Sequence, residues 1–221
     1  MSLLLVILCS FSPVASAKNL KGYIVTHSED TIRGEVRVYL FNRMTGHANI
    51  LGLDFESLHF EVSFKSNVSL RFKTYKPKQL KGFAFEHKSR KYVFHSRIIE
   101  RKSMVRCERE EARFLQLLSN ETVSLYVDLR RQYVNSAVKD WYGMSNSYMY
   151  REYYLYNSQL GLSEVMESRD EKQIENLLVI YGIEQAFIDT LEPKITFKDI
   201  RYILIQYHAW NVDRQLKSAQ S

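Results

Sequence analysis

The sequence predicts an α+β fold: an antiparallel β-rich body, a meander or partly closed barrel of about nine or ten strands, followed by a C-terminal cluster of about three short helices. Two observations carry this prediction. From Lys21 to about Val165, apolar residues alternate with polar ones in short runs separated by polar turns, the pattern of sequential hairpins. From Ser168 the apolar period changes from two to about 3.6.

The chain opens on MSLLLVILCSFSPVASA, an apolar run from Leu3 to Leu8, broken by Pro13 and ending in Ala15-Ser16-Ala17 before Lys18. The run is too short for a bilayer core of about 30 Å, and the small residues form an A-x-A-like cleavage site. Residues 1–17 therefore read as a signal peptide cleaved after Ala17, which places the mature protein in the periplasm or outer envelope. No Lys or Arg precedes the apolar run, so the α-amino group supplies its positive end. Cys9 follows Leu8 within the run, not a small residue at its end, which argues against lipid attachment.

Cleavage leaves 204 of 221 residues, enough for a substantial core. Lys and Arg number 31 against 25 Asp and Glu, a net charge of +6 that describes a mixed solvated surface. With an exported address this excludes nucleic acid as a partner and leaves at most peripheral contact with a membrane. Cys107 is the only cysteine after cleavage, so no intramolecular disulfide is expected. Arg106 and Arg109 beside it would lower a thiol pKa, but no histidine lies near in sequence to act as its base.

Strands follow in order. GYIVT and TIRGEVRVYLF flank the turn HSED, and Gly34 signals a bulge or a close backbone approach. The stretch from Asn42 to Asp54, with Gly46 and Gly52, reads as a long loop. Leu58, Phe60, Val62 and Phe64 alternate with His59, Glu61 and Ser63, and Leu70 and Phe72 repeat the alternation after Lys65-Ser66-Asn67. KGFAFEH and KYVFHSRII turn at Lys88-Ser89-Arg90, ARFLQLL and VSLYVDL at Ser119-Asn120-Glu121, and SYMYREYYLYN and LSEVME at Ser158-Gln159-Leu160-Gly161.

Ser168 and Glu171 read as a capping box for a helix with Ile174, Leu177, Leu178 and Tyr181 on one face and Gly182 as terminator. A second helix is expected from Ile183 to Leu191. A third starts near Thr196, aided by Asp199, with Ile200, Ile203, Leu204 and Tyr207 on one stripe. The domain reading is a signal at 1–17, a β-rich body at 18–165 and a helical appendage at 166–217 packed on that body.

Gly22-Tyr23-Ile24-Val25-Thr26 with Asp30-Thr31-Ile32-Arg33-Gly34, Tyr75-Lys76-Pro77 with Leu80-Lys81-Gly82-Phe83, Tyr153-Tyr154-Leu155-Tyr156 and the helix ending Gln206-Tyr207 together resemble the uncharacterised secreted envelope proteins of Bacteroidetes. The likeness spans most of the mature chain, and departs from the family at the insertion-like stretch 43–52 and at Trp210. It implies a periplasmic or outer-envelope location and a β-rich body, with no catalytic residues to carry over. Asp30-Thr31-Ile32 and Asp189-Thr190-Leu191 also resemble the short O-glycosylation signal of such bacteria, marking Thr31 and Thr190 as candidates.

Candidate chemistry is sparse. The histidines at 27, 47, 59, 87, 95 and 208 show no metal-ligand spacing, and no nucleophile elbow or phosphate loop is present, so neither metal nor cofactor is expected. His59 with Glu61 on one strand face, His87 with His95 across a hairpin, and the acidic run at Glu108-Arg109-Glu110-Glu111 are the remaining groups of titratable residues. The unusual segment is aromatic. Around Trp141, Tyr142 and Tyr153 lie Tyr148, Tyr150, Tyr154 and Tyr156, which share one strand face with Glu152, while Met149, Arg151, Tyr153 and Leu155 take the other. Exposed, the four tyrosines would stack on sugars or anchor a protein; buried, they would pack under the helices.

The leading expectation is a non-catalytic envelope interaction or accessory protein whose partner is another envelope protein or a glycan. The alternatives are a binding protein for a glycan or amphipathic ligand, and an unrecognised hydrolase.

Overall fold

The computed structural model describes residues 17–40, 52–101, 109–120, 123–133, 147–165, 170–191 and 196–219. Ten strands form one antiparallel sheet: β1 (Ala17–Val25), β2 (Thr31–Tyr39), β3 (Val62–Ser66), β4 (Lys73–Tyr75), β5 (Gly82–His87), β6 (Arg90–Arg101), β7 (Arg109–Asn120), β8 (Ser124–Tyr133), β9 (Ser147–Asn157) and β10 (Gly161–Val165). Four helices accompany it: α1 (Phe55–Leu58), α2 (Glu171–Ile180), α3 (Gln185–Ile188) and α4 (Ile200–Ala219). The order β10-β9-β8-β7-β6-β5-β1-β2-β3-β4 is two meanders joined where β1 pairs with β5, and the sheet is open. The molecule is an α+β fold with a β-rich body.

Local chemistry explains most elements. Lys88 and Ser89 both have positive φ, 50° and 60°, which matches the two-residue turn whose twist suits adjoining strands, and Arg90 already belongs to β6. Gly34 marks a close approach, with no bulge, since the β1–β2 register runs unbroken from Val25↔Thr31 to Ala17↔Tyr39. A Cβ on Gly34 would stand 2.1 Å from the Lys65 carbonyl oxygen and 2.7 Å from the Phe64 ring.

Helix α2 ends as expected. Gly182 adopts φ +97°, its N–H donates to the Val179 carbonyl, and that of Ile183 donates to Leu178, the paired bonds of a Schellman termination. The start differs: Asp170 caps α2 by accepting the Gln173 amide at 2.8 Å, and Ser168 lies outside the described residues. The helix expected over 183–191 shrinks to α3, flanked by turns, while Thr196 and Asp199 cap a 3₁₀ turn that leads into the twenty-residue α4.

The expected strand through Leu58 and Phe60 is not formed. Asp54 accepts both the backbone amide and the hydroxyl of Ser57, and these local bonds wind 55–58 into α1, leaving only 62–66 as strand. Likewise Leu70 is exposed in a turn and β4 begins only at Lys73. The β7–β8 turn lies later than expected, because Ser119 and Asn120 belong to β7. Most of the loop expected over 42–54, together with His47, Cys107, Trp141 and Tyr142, lies outside the described residues.

The sheet buries apolar surface on both faces. On the first face, Ile24, Val36, Val38, Val62, Phe64, Phe83, Phe85, Phe94 and Phe114 enclose Leu58 of α1. Phe83 stacks on Phe94 at 4.6 Å, and Phe114 meets Phe83 edge-on at 5.0 Å. Farther along, Leu125, Leu155 and Val165 meet the buried stripes of the helices, Ile174, Leu177, Leu178, Ile200, Ile203, Leu204 and Tyr207. The second face carries a smaller cluster, Ile99, Leu115, Tyr126 and Tyr154.

Candidate functional site

Between the two large cores the β7–β8 ladder breaks. Its pairing runs from Asn120↔Ser124 to Gln116↔Val127, with a bulge at Leu118, and then stops. In the gap sits His59, just past α1. The Phe114 N–H donates to the His59 carbonyl at 3.0 Å, His59 Nδ1–H donates to the Phe114 carbonyl at 2.6 Å, and the Leu129 N–H donates to His59 Nε2 at 3.3 Å. The imidazole thus stands in for a strand residue. These partners assign the neutral Nδ1–H tautomer. Burial pushes the His59 pKa down to about 4, with Arg113 and Arg130 acting in the same direction and Asp128 and the Phe114 carbonyl opposing.

Three consecutive residues cross the sheet here. Leu58 lies in the first-face core, His59 in the gap, and Phe60 against the Arg113 guanidinium at 3.6 Å, on the second face. Asp128, fully buried, is the hub of that face. Its Oδ1 accepts from Arg113 Nη2 at 2.9 Å and lies 3.1 Å from His59 Nδ1, and its Oδ2 accepts from Arg130 Nε at 2.9 Å. Arg130 also reaches Glu152 at 2.5 Å and donates to the Tyr154 hydroxyl at 3.2 Å, while that hydroxyl donates to Glu152 at 2.7 Å. His59 and Asp128 resemble an acid–base dyad in composition only. Both ring nitrogens are held by strand backbone and the ring is fully buried, so no substrate atom reaches it.

The expected pairing of His59 with Glu61 on one strand face does not occur, since α1 places His59 in the gap. In the β5–β6 hairpin His87 pairs with Arg90 while His95 pairs with Gly82, so the two histidines are not opposite each other. Of the tyrosines, Tyr154 is buried in the Asp128 network, Tyr156 is half-buried beneath the Arg97 guanidinium at 4.3 Å, Tyr150 is half-buried, and Tyr148 pairs through its backbone with Gln132. Thr31 and Thr190 are exposed; Thr190 Oγ1 donates to the Phe187 carbonyl at 2.6 Å. Among the described residues no group of three His, Cys, Asp or Glu side chains converges on a point where a metal would sit.

Two clefts are relevant. One of about 620 Å³ lies on the second face over Gly82, between Tyr23, His27, Lys81, His95 and Arg97. Several of its polar groups are engaged: Lys81 pairs with Glu29, Arg97 donates to the Tyr126 hydroxyl at 3.0 Å, and His95 lies 2.7 Å from that hydroxyl with its pKa pushed down to about 4, chiefly by burial; Arg97 Nε is buried without a hydrogen-bond partner among the described residues. The other, about 350 Å³, lies on the first face where the two cores part. Phe55, Tyr92, Leu118, Leu125, Val127, Leu129, Tyr153 and Ile200 make it apolar, and three cations, Arg151, Lys198 and Arg201, stand exposed at its rim. None of the three forms an ion pair within the described residues. Asp199, the acid beside them, is committed to Thr196, whose N–H and hydroxyl it accepts at 3.0 and 2.5 Å, and these bonds hold its carboxyl below the usual range.

Sequence reasoning selected the tyrosine strand, but the cleft uses that strand's other face, through Arg151 and Tyr153. The signal available was the alternation of Arg151 and Tyr153 with the tyrosines; which face met the helices was not written in it. No protein-family model matches the chain, and neither a curated protein nor a solved structure matches it.

Proposed function

We propose that this is a non-catalytic cell-envelope protein that binds an amphipathic anion, an acyl chain carrying a carboxylate or phosphate head, in the cleft between its two cores. The observation that carries this reading is the conjunction of an apolar trough with three cations at its mouth that form no ion pair among the described residues. A trough of this size falls within the range of small-ligand sites, and clustered cations beside the start of α4 favour an anionic head. The exported address rests on the N-terminal segment. Cleavage after Ala17 is compatible with the fold, because it removes only the Ala17↔Tyr39 end of the β1–β2 ladder and keeps Lys18↔Val38 onward.

The test is a fluorescence titration with dansyl-labelled undecanoic acid. Saturable binding in the micromolar range is expected, weakened about tenfold or more in a Lys198→Glu/Arg201→Glu variant that melts like the wild type, since both side chains are exposed. Absence of saturable binding, or binding indifferent to the double charge reversal, overturns the reading. Competition by dodecanoate against dodecyl phosphate separates the two head groups.

A further inference from the structure

Helix α4 is apolar on two opposite sides. Ile200, Ile203, Leu204 and Tyr207 are buried against the body, and Trp210 extends that stripe. Tyr202, Ile205, Ala209, Val212 and Leu216 follow one another at spacings of three and four and make a second stripe on the far side. This stripe faces water: Tyr202 is 63%, Ile205 50%, Val212 42% and Leu216 57% exposed. Spacing of this kind is the seam of a two-helix coiled coil.

We propose that α4 pairs antiparallel with α4 of a second copy of this chain. In the antiparallel register Ile205 lies opposite Leu216 of the second copy, and Ala209 opposite its Val212, so each layer sets a residue against one of complementary or similar size. Both contacts repeat about the two-fold axis, and Tyr202 closes each end. Residue i meets j and j meets i, the self-complementarity that a two-fold interface requires. Charge agrees with this pairing. Arg201 and Asp213 flank the seam on opposite edges, and the antiparallel register sets Asp213 beside Gln206 of the second copy, away from its own image. A membrane surface fits less well, because an interfacial helix is flanked by lysine and arginine, and this seam has an acid and a glutamine on one edge. The stripe from Tyr202 to Leu216 makes a seam of about 21 Å, short for a stable interface, so the dimer is expected only at micromolar concentrations.

The test is sedimentation equilibrium of the purified full chain at about 100 µM, a concentration well above a micromolar dissociation constant. The wild type is expected at twice the chain mass. Ile205→Glu and Leu216→Lys should each give monomers with unchanged melting temperature, since both positions are exposed in the single chain. Combining Ile205→Glu with Leu216→Lys should restore the dimer, because the antiparallel register sets Glu against Lys twice, whereas a parallel one sets Glu against Glu. A monomeric wild type, single variants that remain dimeric, or a combined variant that stays monomeric each overturns the proposal, the first assigning this face to a different partner. Fatty-acid binding is read separately, so either result can fail without the other.

Discussion

His59 and Leu129 lie 70 positions apart in sequence, yet the Leu129 amide donates to His59 Nε2 at 3.3 Å and fills a place where a neighbouring strand would have offered a carbonyl. Opposite it, Phe114 exchanges two hydrogen bonds with the same residue. One side chain thereby satisfies backbone that the broken β7–β8 ladder leaves exposed in the interior, where an unpaired amide costs about 1–3 kcal/mol.

Acid should destabilise the fold through this residue. His59 is neutral when folded, with a pKa near 4, and takes a proton near 6.5 when unfolded, so the unfolded chain binds more protons between those values. The contribution is fully present above pH 6.5 and is lost as pH falls towards 4, on the order of 3 kcal/mol in all. His95, also held near 4, adds a contribution of the same sign, so chemical denaturation across pH 4 to 7 should show their combined slope, reduced by about half in His59→Gln and nearly abolished in His59→Gln/His95→Gln. Equal slopes in the wild type and His59→Gln would remove His59 from the account.

The Tyr154 hydroxyl is predicted to be structural. Tyr154→Phe leaves the ring but strips Glu152 and Arg130 of a shared partner, and should cost about 1–2 kcal/mol. Replacing Tyr150 and Tyr154 together with Ser removes a buried ring and should cost roughly 3–5 kcal/mol. Thermal melts decide the matter, and a double variant as stable as the wild type would return these tyrosines to the surface.

Export should be accompanied by cleavage after Ala17. Intact-mass measurement on protein from the native envelope fraction is expected to show a chain beginning at Lys18. Retention of Met1, or an acyl group on Cys9, contradicts this.

What the sequence made legible was local. The Lys88-Ser89 turn, the Gly182 terminator and the buried stripes of α2 and α4 depend on residues within a few positions of one another, and each can be read from spacing. Glycine 34 announced a constraint without naming the strand that imposes it. The alternation through Leu58 misled because Asp54 offers Ser57 a local helix cap, and a helix of four residues, about one turn, is too brief to show a period that competes with a strand pattern. The His59–Asp128 centre joins α1 to β7 and β8 across 55 and 70 positions, and no short-range pattern encodes such a meeting. The cleft was hidden for a different reason: both faces of β9 are apolar enough to be buried, so only the packed helices determine which one borders it.

The passage of residues 58–60 through the sheet also orders events in time. Synthesis delivers α1 well before β8, so the first half of the chain emerges with its histidine lacking the amide that will hold it. Closing that contact spans a large loop, the kind of non-local step that slows folding and lengthens the life of open strand edges. The contact around His59 is therefore expected to close only after β8 has been made, later than the amino-terminal hairpins, whose pairings are local.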